Sequence, residues 1–136
     1  MEYLQLRNNE VLPQIKSPRP FKCVVIIDAS VSQEWQTKVS KWLVNSGCLY
    51  MMAWGNDCSS WDDSVDYANI EQFENQEIPP ESFVMTTWHE SESLSEVFEF
   101  CKNFATHEVE ALENVLLLHI SEDNMSQTIT QEYESA

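Results

Sequence analysis

Glycine is nearly absent from this sequence of 136 residues, which contains only Gly47 and Gly55. Glycine-rich phosphate loops need several glycines in close succession, because their backbone N–H groups must approach the phosphate without an intervening side chain. Two isolated glycines do not form such a loop. The sequence therefore argues against the common nucleotide-binding motifs.

Cysteine pairs and long apolar runs are also missing. The four cysteines form no C-x-x-C motif, and three of them lie in or beside apolar runs. This pattern indicates buried free thiols and a reducing compartment. The longest apolar runs are far shorter than the roughly 20 residues that a membrane-spanning helix needs, and the first twelve residues lack the apolar core of a secretory signal. We expect a cytoplasmic protein that has no membrane partner.

Basic residues are scarce after position 41. Residues 42–136 contain nineteen acidic residues and one basic residue, Lys102, and the whole chain carries a net charge of −16. Nucleic acids and anionic lipids are bound through Lys and Arg, so we expect neither as a partner. An acidic field instead favours association with a basic protein surface. The alternative is that the acidity only keeps the protein in solution.

Apolar runs and amphipathic segments alternate along the chain. Four runs have the length of strands: Phe21–Asp28, Cys48–Trp54, Ser82–Trp88 and Val115–Ile120. The first is rich in β-branched residues and leaves no room for polar alternation, which is typical of a strand that is buried on both faces. Helical periodicity follows each of the first three runs. The pattern predicts a three-layer α/β domain of about four mostly parallel strands with helices on both faces. We expect the strand order 2-1-3-4.

The ends of the chain differ from this middle part. Residues 1–20 are broken by three prolines and are predicted to form an N-terminal arm. Residues 21–121 are predicted to form a single domain, and residues 122–136 an acidic polar tail. Within the domain, Ser60 with Asp63, and Ser93 with Glu96, have the spacing of capping boxes and mark two helix starts.

Polar residues follow each predicted strand. In parallel sheets, ligands bind beyond the carboxyl ends of the strands, where the strand order reverses. In the order 2-1-3-4 the reversal lies between the first and third strands, so Asp28 and His89 would face each other. With Asp57 and Cys58 from the end of the second strand, they form the candidate catalytic set.

Three chemistries are open to these strand-end residues. Cys58 could act as a nucleophile with His89 as its base. His89 could serve alone as an acid or base, its pKa raised by neighbouring carboxylates. Oxygen ligands could instead hold Mg²⁺; the candidates are Asp28, Asp57 and either Glu90 or Asp123. No basic residue lies near these loops to bind a phosphate.

Ordinary structural roles account for the same residues. Asp28 and Asp57 each precede a predicted helix, where Asp turns the chain or caps the helix. His119 lies inside an apolar run, which predicts a buried histidine with a satisfied hydrogen bond. The histidines have no metal-binding spacing, and we assign neither a metal nor a cofactor. These considerations favour a protein without catalytic activity.

Tryptophans provide a different candidate site. Trp54 and Trp88 end two predicted strands, Trp61 follows one loop later, and Glu90 lies beside Trp88. These residues could form a protein-binding surface, or line a pocket for a small cationic or neutral ligand. They could equally close the top of the core, as tryptophans often do in small domains.

The span Phe21–Ile120 resembles an uncharacterised family of small bacterial α/β domains. The resemblance lies in the segments VVIIDAS (24–30), FVMTTWHES (83–91) and VLLLHIS (115–121). It implies the α/β fold but carries over no activity and no catalytic residues. Phosphate-handling families of similar architecture fit poorly. The haloacid dehalogenase pattern needs a second Asp where Ser30 stands, and response-regulator receivers need a late lysine that only Lys102, on a predicted helix, could match.

Two functional hypotheses follow from the sequence. The favoured one is a non-enzymatic acidic interaction domain, such as an accessory or immunity-type protein, that binds a basic protein surface. The alternative is a small hydrolase or nucleotide-handling enzyme with its site at the carboxyl ends of the strands. Its catalytic residues would be Asp28, Asp57, Cys58 and His89.

Overall fold

Five strands and four helices follow one another in the structure, a computed structural model that describes residues 1–136. The strands are β1 (Glu2–Leu6), β2 (Phe21–Ile27), β3 (Cys48–Gly55), β4 (Met85–His89) and β5 (Asn114–Ile120). The helices are α1 (Gln33–Asn45), α2 (Cys58–Gln72), α3 (Leu94–Asn103) and α4 (Ser126–Ser135). A 3₁₀ turn at Pro80–Ser82 precedes β4. None of the helices is both long and apolar enough to span a membrane.

The strands form one parallel sheet in the order β1-β5-β2-β3-β4. The predicted α/β class, with helices on both faces of a parallel sheet, is confirmed. The predicted strand order 2-1-3-4 is wrong. In the numbering of the structure it corresponds to β3-β2-β4-β5, whereas the second neighbour of β2 is β5 and not β4. The apolar pattern identifies strands but does not encode which of them are neighbours.

The fifth strand, β1, comes from the predicted N-terminal arm. It pairs with β5 from Glu2 opposite Leu116 to Leu6 opposite Ile120. Only Leu6 of its five residues is buried. Because the segment is short and contains Glu2 and Gln5, its sequence lacks the apolar run by which the other strands are recognised.

The rest of the arm lies against α1. The indole nitrogens of Trp35 and Trp42 donate hydrogen bonds to the backbone oxygens of Glu10 (3.0 Å) and Pro13 (2.8 Å). Leu12 packs against the core beneath. Residues 7–20 therefore cover part of the sheet face that α1 and α2 leave open.

Alternate side chains of the central strands build two apolar layers. On one face, residues such as Val25 and Leu118 pack with Trp61 of α2 and other side chains of α1 and α2. On the other face, residues such as Val24 pack with Phe98 of α3 and with Ile129 of α4. Because both faces of β2, β3 and β5 are covered, these strands consist mostly of apolar residues.

The helix ends differ in how far the sequence predicted them. The capping box of α3 is confirmed, since Ser93 and Glu96 exchange side-chain-to-backbone hydrogen bonds. For α2 the predicted Ser60 cap is wrong. That helix begins at Cys58, and the Ser60 hydroxyl donates to the backbone oxygen of Asp57. The predicted polar tail contains α4, whose buried Ile129 docks on the sheet.

Candidate functional site

The direction in which successive strands are added to the sheet reverses between β2 and β5. From β2 the chain moves outward to β3 and β4, and it then returns to form β5 on the opposite side of β2. Ligands of open α/β sheets bind at this position, beyond the carboxyl ends of the two strands. Asp28 directly follows β2, and His119 is the last but one residue of β5.

Three side chains form a hydrogen-bonded chain at this reversal. The Tyr3 hydroxyl lies 2.6 Å from His119 Nδ1, and His119 Nε2 lies 2.5 Å from Asp28 Oδ2. The backbone N–H of Met125 donates to the Tyr3 hydroxyl at 3.1 Å. Because that oxygen accepts from Met125, its own proton is free to point at Nδ1, which leaves the Nε2 proton of His119 for Asp28.

This chain of residues holds the Asp28 carboxylate in place. The His119 side chain has no exposed surface, so its ring cannot touch a substrate, whereas 43% of the Asp28 side chain is exposed. Burial raises the pKa of the Tyr3 phenol, and the Asp28 charge adds to the effect. A neutral phenol and a buried imidazole can orient a carboxylate, and both are engaged in hydrogen bonds within the chain. The predicted buried, hydrogen-bonded role of His119 is confirmed.

The structure separates Asp28 from His89. The strand β3 lies between β2 and β4, so these two strands are about 10 Å apart. The His89 ring is buried, and its nitrogens lie 2.9 Å from the Thr87 hydroxyl and 3.0 Å from a Glu92 carboxylate oxygen. The proximity of Asp28 and His89 that the sequence suggested depended on the wrong strand order.

The other two candidates for catalysis belong to the start of α2. Asp57 is exposed, adopts the left-handed conformation with φ of 50° and makes no side-chain cap. Cys58 is buried, and burial raises the pKa of its thiol. A buried, protonated thiol is a poor nucleophile. The chain also holds no group of three or more His, Cys, Asp or Glu side chains arranged for a metal ion.

The predicted binding residues differ in how far their side chains are exposed. Trp61 is fully buried in the core. Trp54 is half-buried, and its indole nitrogen donates to the backbone oxygen of Glu92 at 2.7 Å. Trp88 is half-exposed on β4, with the exposed Glu90 just beyond it. Of the predicted set, Trp88 and Glu90 are therefore the residues available to a partner.

The edge strand exposes further apolar side chains that the sequence reasoning missed. Phe83 and Met85 are exposed together with Trp88, and we call these three residues the β4 edge. Met85 and Trp88 belong to β4, which lies at the end of the sheet and pairs only with β3, and Phe83 lies two residues before this strand. The consecutive threonines Thr86 and Thr87 distinguish this strand from the mostly apolar central strands and were the signal for an exposed edge.

One carboxylate of α2 contacts this strand, and a second precedes it by one turn of the helix. The Thr86 hydroxyl donates to Asp66 Oδ1 at 2.8 Å. Asp62, one turn earlier, is 8% exposed, and its buried Oδ1 has no hydrogen-bond partner. Burial raises the pKa of Asp66, and the charges of Asp62 and Asp63 raise it further.

Most of the basic side chains are bound by other groups of the chain. Lys22 is buried and donates to the backbone oxygen of Cys101. Lys102 lies over the Tyr133 ring and donates to the Ala136 oxygen at 2.9 Å. The ion pairs of the remaining bases, all within the first 41 residues, are Arg7–Glu122, Lys38–Glu34 and Lys41–Glu71. No Lys or Arg occurs between Trp42 and Cys101, so the segment of the chain that contains β4 is acidic. Arg19 is the basic residue that lies nearby, in a groove with Glu81 and Val84 just before β4.

Comparison with known proteins identifies the family of the chain. The comparisons with curated proteins and with solved structures found no match. One family model, described as a domain of unknown function (DUF7684), matches residues 1–136. The chain belongs to this family.

Proposed function

Since this family brings no activity with it, we propose from the geometry that the chain is a non-enzymatic interaction domain that binds a basic protein surface. One observation carries the proposal. The exposed apolar residues of the β4 edge lie in the part of the chain whose only basic residue is Lys102. An apolar centre with a charged surround is the usual anatomy of a protein-binding surface.

Electrostatics suits a basic protein better than other partners. The nineteen acidic residues after position 41 produce a field that accelerates association with a positively charged surface. The same field repels nucleic acids and anionic membranes, which lack positive groups. Exposed aromatic side chains such as Phe83 and Trp88 favour a protein over a small ion, because they need an apolar counterpart.

The enzymatic alternative has less support. Its residues do not form a catalytic set. Asp28 is bound to His119, the His89 ring is held by Thr87 and Glu92, and the buried Cys58 thiol meets the backbone of His89 and not its ring. We therefore favour an accessory or immunity-type protein of the bacterial cytoplasm. The four free buried cysteines are consistent with that reducing setting.

The test uses the full chain as bait in a native extract, followed by association kinetics with the captured partner at increasing salt. We expect a basic partner whose association rate falls steeply with salt, because the attraction between exposed charges is screened. An acidic partner, or an association rate independent of salt, would overturn the proposal.

Two variants with equal changes in net charge test whether the partner binds on the β4 side of the sheet. The first neutralises exposed acids near β4 (Glu81→Gln, Glu90→Gln and Glu99→Gln), and the second neutralises exposed acids on the opposite side of the sheet (Glu113→Gln, Asp123→Asn and Glu134→Gln). Both change the net charge by the same amount. The first should slow association several-fold more than the second. Equal effects would mean that the β4 side is not the binding surface.

A further inference from the structure

The outer edge of β4 has no partner strand. Within the sheet, β4 pairs only with β3, and its outward backbone groups are left open along Met85–His89. At the opposite edge, the N-terminal arm folds back onto β1: the backbone N–H groups of Lys16 and Ser17 donate hydrogen bonds to the Glu2 carboxylate. An open edge is a template for an additional extended segment. Of the two edges, that of β4 is therefore the one prepared for a strand from another protein.

Trp88 of β4 and Asp62 of α2 lie at about the same height along the direction of the strands. The hydrogen bond between Thr86 and Asp66 fixes one point of contact between β4 and α2. From that point, Trp88 is two residues further along the strand, or about 6.6 Å. Asp62 is one turn back along α2, or about 6 Å. Because a helix that connects parallel strands runs against them, both steps lead toward the carboxyl end of the sheet.

The Asp62 carboxylate lacks a counterpart in this chain. Its residue is more than nine-tenths buried, and Oδ1 has no hydrogen-bond donor. A buried polar atom without a partner is costly, and a buried charge without a partner is more so. Asp66 lies one turn away, and the mutual repulsion of these carboxylates contributes to its raised pKa. A cation placed between them would relieve both penalties.

Arginine is the cationic side chain that fits these surroundings. Its planar guanidinium donates several hydrogen bonds in one plane, which suits two neighbouring carboxylates, and it stacks on aromatic rings. Half of the Trp88 surface is exposed beside this position. A bare divalent ion fits less well, since it would need six or more oxygen ligands and has no use for an indole.

We infer that an extended, arginine-bearing segment of the basic partner adds to the edge of β4 and inserts one guanidinium between Trp88 and the carboxylates of Asp62 and Asp66. We call these three residues the arginine slot. The inference rests on the proposed function and specifies which chemical group the partner supplies. The apolar side chains of the segment would contact Phe83 and Met85.

The test titrates the full chain with a synthetic end-capped peptide of alternating arginine and valine, measured by calorimetry. Asp62→Asn and Trp88→Ala should each weaken binding, the former about ten-fold, since it removes a charge-assisted hydrogen bond. Glu113→Gln, which changes the net charge by the same amount as Asp62→Asn, should have less than about a two-fold effect. If Asp62→Asn does not fold, Asp66→Asn replaces it with the same expectation.

Two further probes test the manner of binding. A peptide with citrulline in place of arginine keeps the shape without the charge and should bind at least about ten-fold more weakly. Amide hydrogen exchange should slow over Met85–His89 on binding, while Glu2–Leu6 on the other edge stays unchanged. Equal affinity of the two peptides, or protection of β1 instead, would overturn the slot.

The outcomes distinguish this inference from the proposed function. If the arginine peptide binds with strong salt dependence but every slot variant binds equally well, the slot is wrong and the acidic interaction domain stands. If the peptide does not bind and the captured partner is not basic, the proposed function itself fails. Slowed exchange at β4 caused by divalent ions, or by self-association of the chain without peptide, would assign the edge to a different occupant and overturn the inference.

Discussion

The Asp28 carboxylate lies 2.5 Å from the His119 imidazole, and the histidine is the member of this pair without exposed surface. In catalytic triads the arrangement is the reverse, since the carboxylate is buried and the histidine meets the substrate. Here the imidazole can only hold the carboxylate. The pair therefore couples the end of β2 to β5 and, through Tyr3, to β1.

The Asp28–His119 pair yields a stability prediction. Asp28→Ala should lower the free energy of unfolding by about 1–2 kcal/mol, because it leaves a buried Nε2–H without its acceptor. Asp28→Asn keeps an oxygen at the same position and should lose less than half as much. Urea unfolding at neutral pH measures both. Equal losses for the two variants would show that the hydrogen bond contributes nothing.

Gly55 should be much less tolerant of substitution than Gly47. Both have φ of +106°, which strains any residue with a side chain. A Cβ at Gly55 would lie 2.3 Å from the backbone oxygen of Ile27, whereas at Gly47 the nearest atom, at 2.6 Å, belongs to the flexible side chain of Arg19. We expect Gly55→Ala to cost about 3 kcal/mol or more and Gly47→Ala about 1–2 kcal/mol. Thermal unfolding of both variants checks the order, and equal costs would contradict it.

Asp66 should make stability depend on pH. Burial, helped by the charges of Asp62 and Asp63, raises its pKa in the folded protein. A carboxyl group of this kind favours folding when it is protonated, and this contribution is lost as the pH rises through the folded pKa. Asp66→Asn cannot ionise and still offers an acceptor to Thr86. It should raise the Tm by about 1–3 °C at pH 7, a gain that disappears below about pH 4.

The control for this prediction is Glu113→Gln, which removes an exposed charge before β5. It changes the net charge by the same amount, so it corrects for the relief of general repulsion in an acidic chain. The difference in Tm between the Asp66 and Glu113 variants should grow from pH 4 to pH 7. A difference that stays constant over this range would mean that Asp66 is not the titrating group.

The sequence predicted the class of fold because a strand that is buried on both faces appears in the sequence as a run of apolar residues. The central strands β2, β3 and β5 are mostly apolar since helices cover both sides, and the alternation with amphipathic segments implies parallel pairing. No comparable sequence pattern identifies which strands are neighbours in the sheet. Whether β4 or β5 lies beside β2 depends on the path of long connections, which the apolar pattern does not describe.

The candidate site was predicted only where it depended on local sequence. Trp88 and Glu90 are exposed at the end of β4, whereas Trp61 belongs to the core, so the tryptophans divide between the two placements that the sequence left open. The link of Tyr3 to Asp28 through His119 joins β1, β5 and the residue that follows β2. Contacts over such sequence separations follow from strand order, so an incorrect order necessarily hides them.

The four cysteines should be unreactive in the folded protein. All are free and buried, and burial raises the pKa of Cys48 to about 12 and of Cys101 to about 11. Burial also raises the pKa of Cys23 and Cys58. Only the thiolate reacts with disulfide reagents, and a thiol that is both protonated and shielded provides almost none at pH 8.

Titration with an aromatic disulfide reagent measures this directly. We expect less than about one thiol to react within minutes in the native chain and all four in urea, where solvation returns each pKa to about 8.5. Cys58→Ser provides the control, since it should leave the slow native rate unchanged and remove one of the four equivalents in urea. A fast native equivalent that Cys58→Ser abolishes would instead identify an accessible thiolate. The alternative hydrolase hypothesis would then regain its nucleophile, although His89 would still be held by Thr87 and Glu92.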